Sequence, residues 1–316
     1  MADAADTEAR VLRELFVYTM VGPSLPMEEA GPFASRIGAA MLDMHLAAGE
    51  VVYREGEFPE HLYFIVTGQL QLAKEGSAKE VLGDRTILGM DALLARPRTR
   101  TAVALSDVHL LKVDAETWLS AVEDTFAAAR GGILKMSEVV QKLELAWMFN
   151  QPERARAAPI GDSAAGAAAR VAAPLPAKLA LVDRILSLRE VDLFRRGHMQ
   201  AITMLAELAD EIRLAEGEAL FAKHEVARAI YLVVLGEVSL SDGQEKHAVV
   251  AAGSVVGGTG AMAVPLAIYE ARATVATIVL RVRLEDYWDV LEEHVDLVRS
   301  AMVALAQAME RLKPLA

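Results

Sequence analysis

The sequence predicts a mainly β protein with flanking α-helices, built as two tandem β-rolls of the jelly-roll (double-stranded β-helix) kind. Three observations predict it. A set of landmarks occurs twice: Gly49-Glu50, Tyr63 and Gly68 return as Gly217-Glu218, Tyr231 and Gly236, each pair the same number of residues apart. Short apolar or alternating runs between turn residues follow each landmark, as strands of a sandwich or barrel do. Helix-length amphipathic stretches bracket both sets.

The elements follow in order. Ala9 to Met44 carries apolar residues at helical intervals and breaks near Gly22-Pro23. Gly-Glu then makes a turn, and a β-rich run leads to His61-Leu62-Tyr63-Phe64-Ile65-Val66, the pattern of a strand buried on both faces. Gln69-Leu70-Gln71-Leu72 alternates, as a half-buried strand does. Ala115 to Asn150 reads as one or two helices with a break expected at Gly131-Gly132. Residues 151–177, rich in Ala, Pro, Gly and Arg, read as a linker. Ala180–Arg213, the second roll and Leu284–Leu312 repeat the plan. The expected domains are 1–150, the linker 151–177, and 178–316, with rolls at about 46–114 and 214–283.

The stretch from Gly89 to Thr101 carries the chemistry. Gly89 permits a close backbone approach. The short apolar turn after it offers free N–H groups to an anion. Pro97 pre-sets a turn that aims Arg98, whose planar fork can hold two phosphate oxygens. Gly89, Ala92, Leu93, Pro97, Arg98 and Thr101 resemble the phosphate-binding cassette of the cyclic nucleotide-binding domain family, which includes protein kinase A regulatory subunits and the bacterial catabolite activator. The resemblance implies nucleotide-binding roles for Gly89, Asp91, Arg98, Thr99 and Thr101, with cAMP or cGMP as ligand. The sequence departs from the family in one respect that matters. Met90 stands where the ribose-binding Glu belongs, Asp91 lies one position late, and the segment up to Arg98 is one residue short. A ribose hydroxyl without its acceptor loses a buried hydrogen bond, about 1–3 kcal/mol. Asp91 is expected to cap the short helix instead.

The second copy departs further. After Gly257-Gly258 no Glu follows, and Ala267 or Ile268 stands where the clamp Arg belongs. Arg272 comes later, on the next strand. Glu270 would repel a phosphate if it pointed inward.

Composition excludes other classes. The chain has 316 residues, no cysteine and a formal net charge of −12. Disulfide and thiolate chemistry are ruled out, and general affinity for nucleic acid or anionic membrane is disfavoured. No apolar run reaches membrane-spanning length, about 18 residues, and the acidic N-terminus is no secretory signal; a cytoplasmic location is expected. The seven histidines show no metal-ligand spacing, so no metal site is expected. Glu207, Asp210 and Glu211 are expected on a solvated helix face beside Arg213. No catalytic constellation stands out, so no enzyme is expected.

A protein partner is expected, through Trp147, Met148 and Phe149 or the helix of Leu297, Met302, Leu305, Met309 and Leu312; a homodimer would be one form of it. A transcription regulator would need a DNA-binding domain after the roll, and no helix-turn-helix follows. The readings carried forward are a regulatory adaptor with a degenerate ligand site, and a cyclic nucleotide sensor acting through the first domain.

Overall fold

The computed structural model describes residues 2–21, 26–74, 79–94, 96–150, 171, 174–243, 247–263 and 266–312. By packing, the chain forms two compact units, 1–132 and 133–316. The division falls inside one helix, earlier than the boundary expected at residue 150.

The first unit opens with α1 (Ala2–Val21) and α2 (Met27–Ala40). Eight strands follow: β1 (Leu42–Leu46), β2 (Val51–Tyr53), β3 (His61–Thr67), β4 (Leu70–Ala73), β5 (Glu80–Leu82), β6 (Ile87–Leu88), β7 (Thr101–Ala104) and β8 (Val108–Asp114). A 3-10 turn, Met90–Leu94, sits between β6 and β7. Helix α3 (Ala115–Glu123) starts at Asp114, whose carboxylate accepts the Thr117 N–H. Helix α4 (Phe126–Asn150) continues from it. The break between these helices lies at Asp124-Thr125. α4 runs through Gly131-Gly132 unbroken, because two glycines weaken a helix without ending it when neighbours such as Ala129 and Ile133 are buried.

The strands make two antiparallel four-stranded sheets, ordered β1-β8-β3-β6 and β2-β7-β4-β5. Tyr63, Ile65, Leu88 and Leu110 from one sheet and Tyr53, Leu70, Leu72 and Ala102 from the other form one core cluster. Sequence pattern and burial agree here: β3 is buried along its middle, and β4 alternates.

The second unit repeats this plan. Helices α5 (Leu181–Glu190), α6 (Asp192–Arg195) and α7 (Met199–Leu208) lead into β9 (Asp210–Leu214), β10 (Ala219–Phe221), β11 (Ala229–Leu235), β12 (Glu237–Ser241), β13 (His247–Ala251) and β14 (Val255–Val256). Helix α8 (Gly258–Ala263), β15 (Glu270–Ala273), β16 (Thr277–Arg283), α9 (Leu284–Glu293) and α10 (Val295–Leu312) complete it. Its sheets are ordered β9-β16-β11-β14 and β10-β15-β12-β13, the same topology.

The duplication reaches individual hydrogen bonds. The Gly49 N–H donates to the Ala104 carbonyl at 2.8 Å, and the Gly217 N–H to Ala273 at 2.8 Å. Glu50 and Glu218 each accept the N–H three residues back, from Ala47 and Ala215. Gly68 and Gly236 have φ of +99° and +91°. A Cβ at either would lie 2.5 Å from the Asp107 carbonyl oxygen or 2.4 Å from Thr277 Oγ1, so only glycine fits. Even the lead helices dock alike. Arg13 on α1 donates to the Met41 carbonyl and pairs with Asp43; Arg184 on α5 donates to the Ala209 carbonyl and pairs with Glu211.

Two sequence expectations are corrected. Asp210 and Glu211 lie on strand β9, not on a helix. Glu211 is largely buried between Arg184 and Arg213 and accepts the Leu179 N–H at 3.0 Å. The α10 residues Leu297, Met302, Leu305 and Leu312 are buried in the second unit's core, so they are packing residues and not an open partner face. Most of 151–177 lies outside the described residues. Among the described residues, no helix is long and apolar enough to cross a membrane.

Candidate functional site: two anion cradles

The first cradle is built where β6 ends. Gly89 has φ +88°, which turns the chain from β6 into the 3-10 turn. A Cβ there would lie 2.9 Å from Arg98 Nη1 and 3.0 Å from the His61 carbonyl oxygen. The missing side chain is therefore what lets the guanidinium lie against the backbone. Arg98 is held from its own main chain as well: its N–H donates to the Glu57 carbonyl and its carbonyl accepts the Gly56 N–H.

The Arg98 side chain is 3% exposed. A buried cation needs partners, and three are present. Nη2 donates to the His61 carbonyl at 2.7 Å. Nη1 pairs with the Asp91 carboxylate. The guanidinium carbon sits 4.2 Å from the centroid of the Tyr53 ring, a cation–π contact. Tyr63 stands further off, at 5.9 Å. Burial raises the Tyr53 phenol above its ordinary pKa, the Asp91 charge adds to the rise, and Arg98 opposes it; the phenol stays neutral.

Asp91 is thus not a helix cap. The short loop turns it inward onto the clamp. Thr101 lies on β7 with its hydroxyl oxygen accepting the Glu55 N–H at 3.0 Å. Thr99 is exposed on the bend before it. The structure brings Gly89, Asp91 and Arg98 together and leaves Thr99 and Thr101 to the turn. The sequence reading missed Tyr53, Tyr63 and the His61 carbonyl. Tyr53 looks like an ordinary core residue, and Tyr63 stands out in the sequence only as a landmark of the repeat, not as a site residue.

The second cradle is aligned by its hydrogen bonds. His224 N–H donates to the Ala267 carbonyl and Ala267 N–H to the Glu225 carbonyl, as Gly56 and Arg98 do with Arg98 and Glu57. The clamp position is therefore Ala267. Tyr231 pairs with Val256 as Tyr63 pairs with Leu88, so Gly257 is the counterpart of Gly89. Its φ is +74°.

Tyr269 takes up the space. Its ring lies 5.8 Å from that of Phe221, which lies 5.4 Å from that of Tyr231. Its hydroxyl oxygen accepts the Gly257 N–H at 3.1 Å. Burial raises its pKa, so the group remains a neutral phenol. Arg272 is half exposed on β15, donates to the Gly217 carbonyl and pairs with Glu270. Neither enters the cradle.

The backbone of α4 passes through Trp147, Met148 and Phe149, and their side chains lie outside the described residues. The histidines do meet at one place. β1 pairs with β8 so that His45 faces His109, with ring centroids 4.3 Å apart. His109 Nε2 lies 2.7 Å from the Asp43 carboxylate. These three groups have the donor types of a metal site, which the separation along the chain concealed.

The family model described as cyclic nucleotide-binding domain matches residues 43–125 and 211–294. Together these cover more than half of the chain, and the chain belongs to that family. Among curated relatives, the cGMP-dependent protein kinase egl-4 of Caenorhabditis briggsae is 28% identical over 123 residues, which take in 39% of this chain and 16% of the kinase. Its Caenorhabditis elegans counterpart is 35% identical over 75 residues, 23% of this chain and 10% of the kinase. The chain thus spans a small part of those kinases' length.

Among solved structures, the regulatory domain of Toxoplasma gondii protein kinase A with cAMP is 16% identical, covers 91% of this chain and 93% of that one, and has a TM-score of 0.33. The regulatory subunit of a cAMP-independent protein kinase A from Trypanosoma brucei is 14% identical, covers 89% and 88%, and has a TM-score of 0.35. A cyclic nucleotide-binding-like protein from Brucella abortus is 28% identical over 35% of this chain and 98% of that one, with a TM-score of 0.32.

Proposed function

We propose that this chain is a non-enzymatic regulatory adaptor whose two rolls hold their shape without a cyclic nucleotide. One observation carries the reading: the buried Arg98 is already neutralised by Asp91. A phosphate entering the first roll would have to displace a carboxylate that the chain holds at high local concentration. In the second roll the clamp cation is an alanine, and Tyr269 uses the glycine N–H. The output is then a protein contact. An exposed apolar stripe on α1, Val11, Leu12, Leu15 and Tyr18, has the character of such a surface. The Trp147-Met148-Phe149 segment is the second candidate. A second copy of the chain would be one such partner, and the cytoplasm the setting.

Calorimetric titration with cAMP and cGMP tests this. The wild type should show no binding at submillimolar concentration, and Asp91→Asn should gain weak binding because Arg98 is freed. Submillimolar binding by the wild type would overturn the adaptor reading. It would favour the cyclic nucleotide sensor, for which Gly89 and Arg98 are already juxtaposed. Arg98→Ala should then abolish the signal.

A further inference from the structure

One cluster of side chains lies away from both cradles. Asp43 and His45 stand two residues apart on β1, so they share a face of that strand, and His109 on β8 is paired directly with His45. The intervening residues Met44 and Leu46 pack against the core with Val108 and Leu110, so the three polar groups share the outer face. One donor atom from each lies within 4.8 Å of the others. The approach of His109 Nε2 to the Asp43 carboxylate, 2.7 Å, is part of that arrangement.

The donor set is selective. Two imidazoles and a carboxylate suit Zn²⁺, whereas Mg²⁺ and Ca²⁺ take oxygen. Zn²⁺ bonds of about 2.0–2.2 Å put neighbouring donors about 3–3.5 Å apart, close to the present spacing of Asp43 and His109. The two rings are stacked with their planes 18° apart, so they must rotate for both to face one ion. Exposed side chains make such moves freely. Among the described residues, His45 forms no side-chain hydrogen bond that the rotation would break. Asp43 divides its oxygens, Oδ1 toward His109 and Oδ2 toward Arg13 at 3.5 Å. An ion on Oδ1 therefore leaves the α1 anchor in place, and Arg13 keeps the Met41 carbonyl as well.

The second roll shows that the fold does not require this set. By strand register, Glu211, Arg213 and Ile278 stand where Asp43, His45 and His109 stand in the first. There the carboxylate is met by Arg184 and Arg213.

We propose that the outer face of β1 and β8 binds one Zn²⁺ ion through Asp43, His45 and His109, with water completing its shell. The ion ties the two strands together and stabilises the first roll. The site is separate from both cradles, so it stands whether or not either takes a nucleotide.

Calorimetry with Zn²⁺ on the metal-free full chain should show one ion bound at micromolar concentration, with excess Mg²⁺ failing to compete. Proton NMR should show Zn²⁺ shifting the ring signals of His45 and His109 before those of the other histidines. The variant His45→Arg/His109→Ile, which installs the second roll's residues, should weaken binding at least about tenfold, the least that losing even a group behind a ligand costs. Zn²⁺ should raise the melting temperature of the first unit in the wild type and not in this variant. His45→Ala, which removes an exposed ring, serves if the double variant does not fold. The proposal fails if no Zn²⁺ binds at micromolar concentration, if the two ring signals stay in place, or if a folded variant binds as tightly. A rise in melting temperature that persists in the variant overturns it equally.

Discussion

The first roll pairs its buried Arg98 with an internal carboxylate; the second has Ala267 at the corresponding position, and a phenol accepts its glycine N–H. The scaffolds otherwise share their topology and many hydrogen bonds, among them those of the Gly49 and Gly217 turns and of the Arg13 and Arg184 anchors. A cradle of this kind exposes donors that cannot remain unpaired once buried. In this chain internal groups satisfy those donors. Asp91 does so by charge and Tyr269 by a neutral hydrogen bond. The difference shows two ways of satisfying one shared geometry, one dependent on an ion pair and one on a neutral hydrogen bond.

The largest effect should come from breaking the ion pair. Arg98→Ala leaves Asp91 in a largely buried site without its cation and strips the Tyr53 ring of its partner. Loss of one member of a buried pair costs about 3–5 kcal/mol, so urea denaturation should show the first unit destabilised by that order. The double variant Arg98→Ala/Asp91→Ala should recover part of the loss. A double variant no more stable than Arg98→Ala would show that Asp91 is not the partner on which Arg98 depends.

Most of the fold was legible because the features that fix it are local. Positive-φ glycines, Gly-Glu turns and period-2 strands are written in neighbouring residues, and both rolls follow from them. The cradles were legible only in part. Gly89 and Arg98 announce themselves by type and spacing. Asp91 looks like a cap in the sequence because a one-residue shortening changes which way a turn faces, and that depends on where the loop before β7 holds Arg98. Tyr269 directly follows the ordinary apolar run Leu266-Ala267-Ile268, and only the pairing of Ala267 with Glu225 shows which position of the cradle it adjoins. His45 and His109 meet by cross-strand register, which no local pattern encodes.

The anchors give the next comparison. Glu211 takes two arginines and a backbone N–H, whereas Asp43, its counterpart, takes Arg13 and His109. Glu211→Gln should destabilise the second unit by about 1.5–3 kcal/mol, the range for hydrogen bonds to charged groups. The pH dependence has a definite sign. Burial raises the Glu211 pKa, but the Leu179 N–H and the arginines outweigh it, so the folded value lies below the ordinary 4.5. Its contribution is therefore full above pH 4.5 and disappears as pH falls through the lowered value. Melting followed from pH 6 to pH 3 should show an acid loss that Glu211→Gln reduces. An identical acid profile in the two proteins would remove Glu211 from the account.

Replacing the phenol is milder. Tyr269→Phe keeps the ring against Phe221 and removes only the acceptor of the Gly257 N–H. A single neutral hydrogen bond contributes about 1 kcal/mol, with some added cost for the orphaned donor. The second unit should lose about 1–2 kcal/mol, less than the first loses with Arg98→Ala. Equal losses would mean that the two routes do not differ in the way their chemistry implies.

The smallest effect should be a gain. At the turn where the first roll has Gly56 at φ +85°, the second has His224 at φ +69°. Both N–H groups make the same turn bond, to Arg98 and to Ala267. The left-handed region costs a side chain with a Cβ about 1–2 kcal/mol relative to glycine, and His224 is exposed, so it has little packing to offset that. Glycine in turn makes the unfolded chain more flexible, which reduces the benefit. His224→Gly should therefore stabilise the second unit by about 0.5–1 kcal/mol, read as a small rise in its denaturant midpoint. The reverse change, Gly56→His, should cost the first unit a similar or larger amount, since that turn holds the Arg98 carbonyl and any shift disturbs the Asp91 pair. If His224→Gly lowers the midpoint instead, the histidine makes a favourable contact at that turn, and the second roll has replaced the glycine without strain.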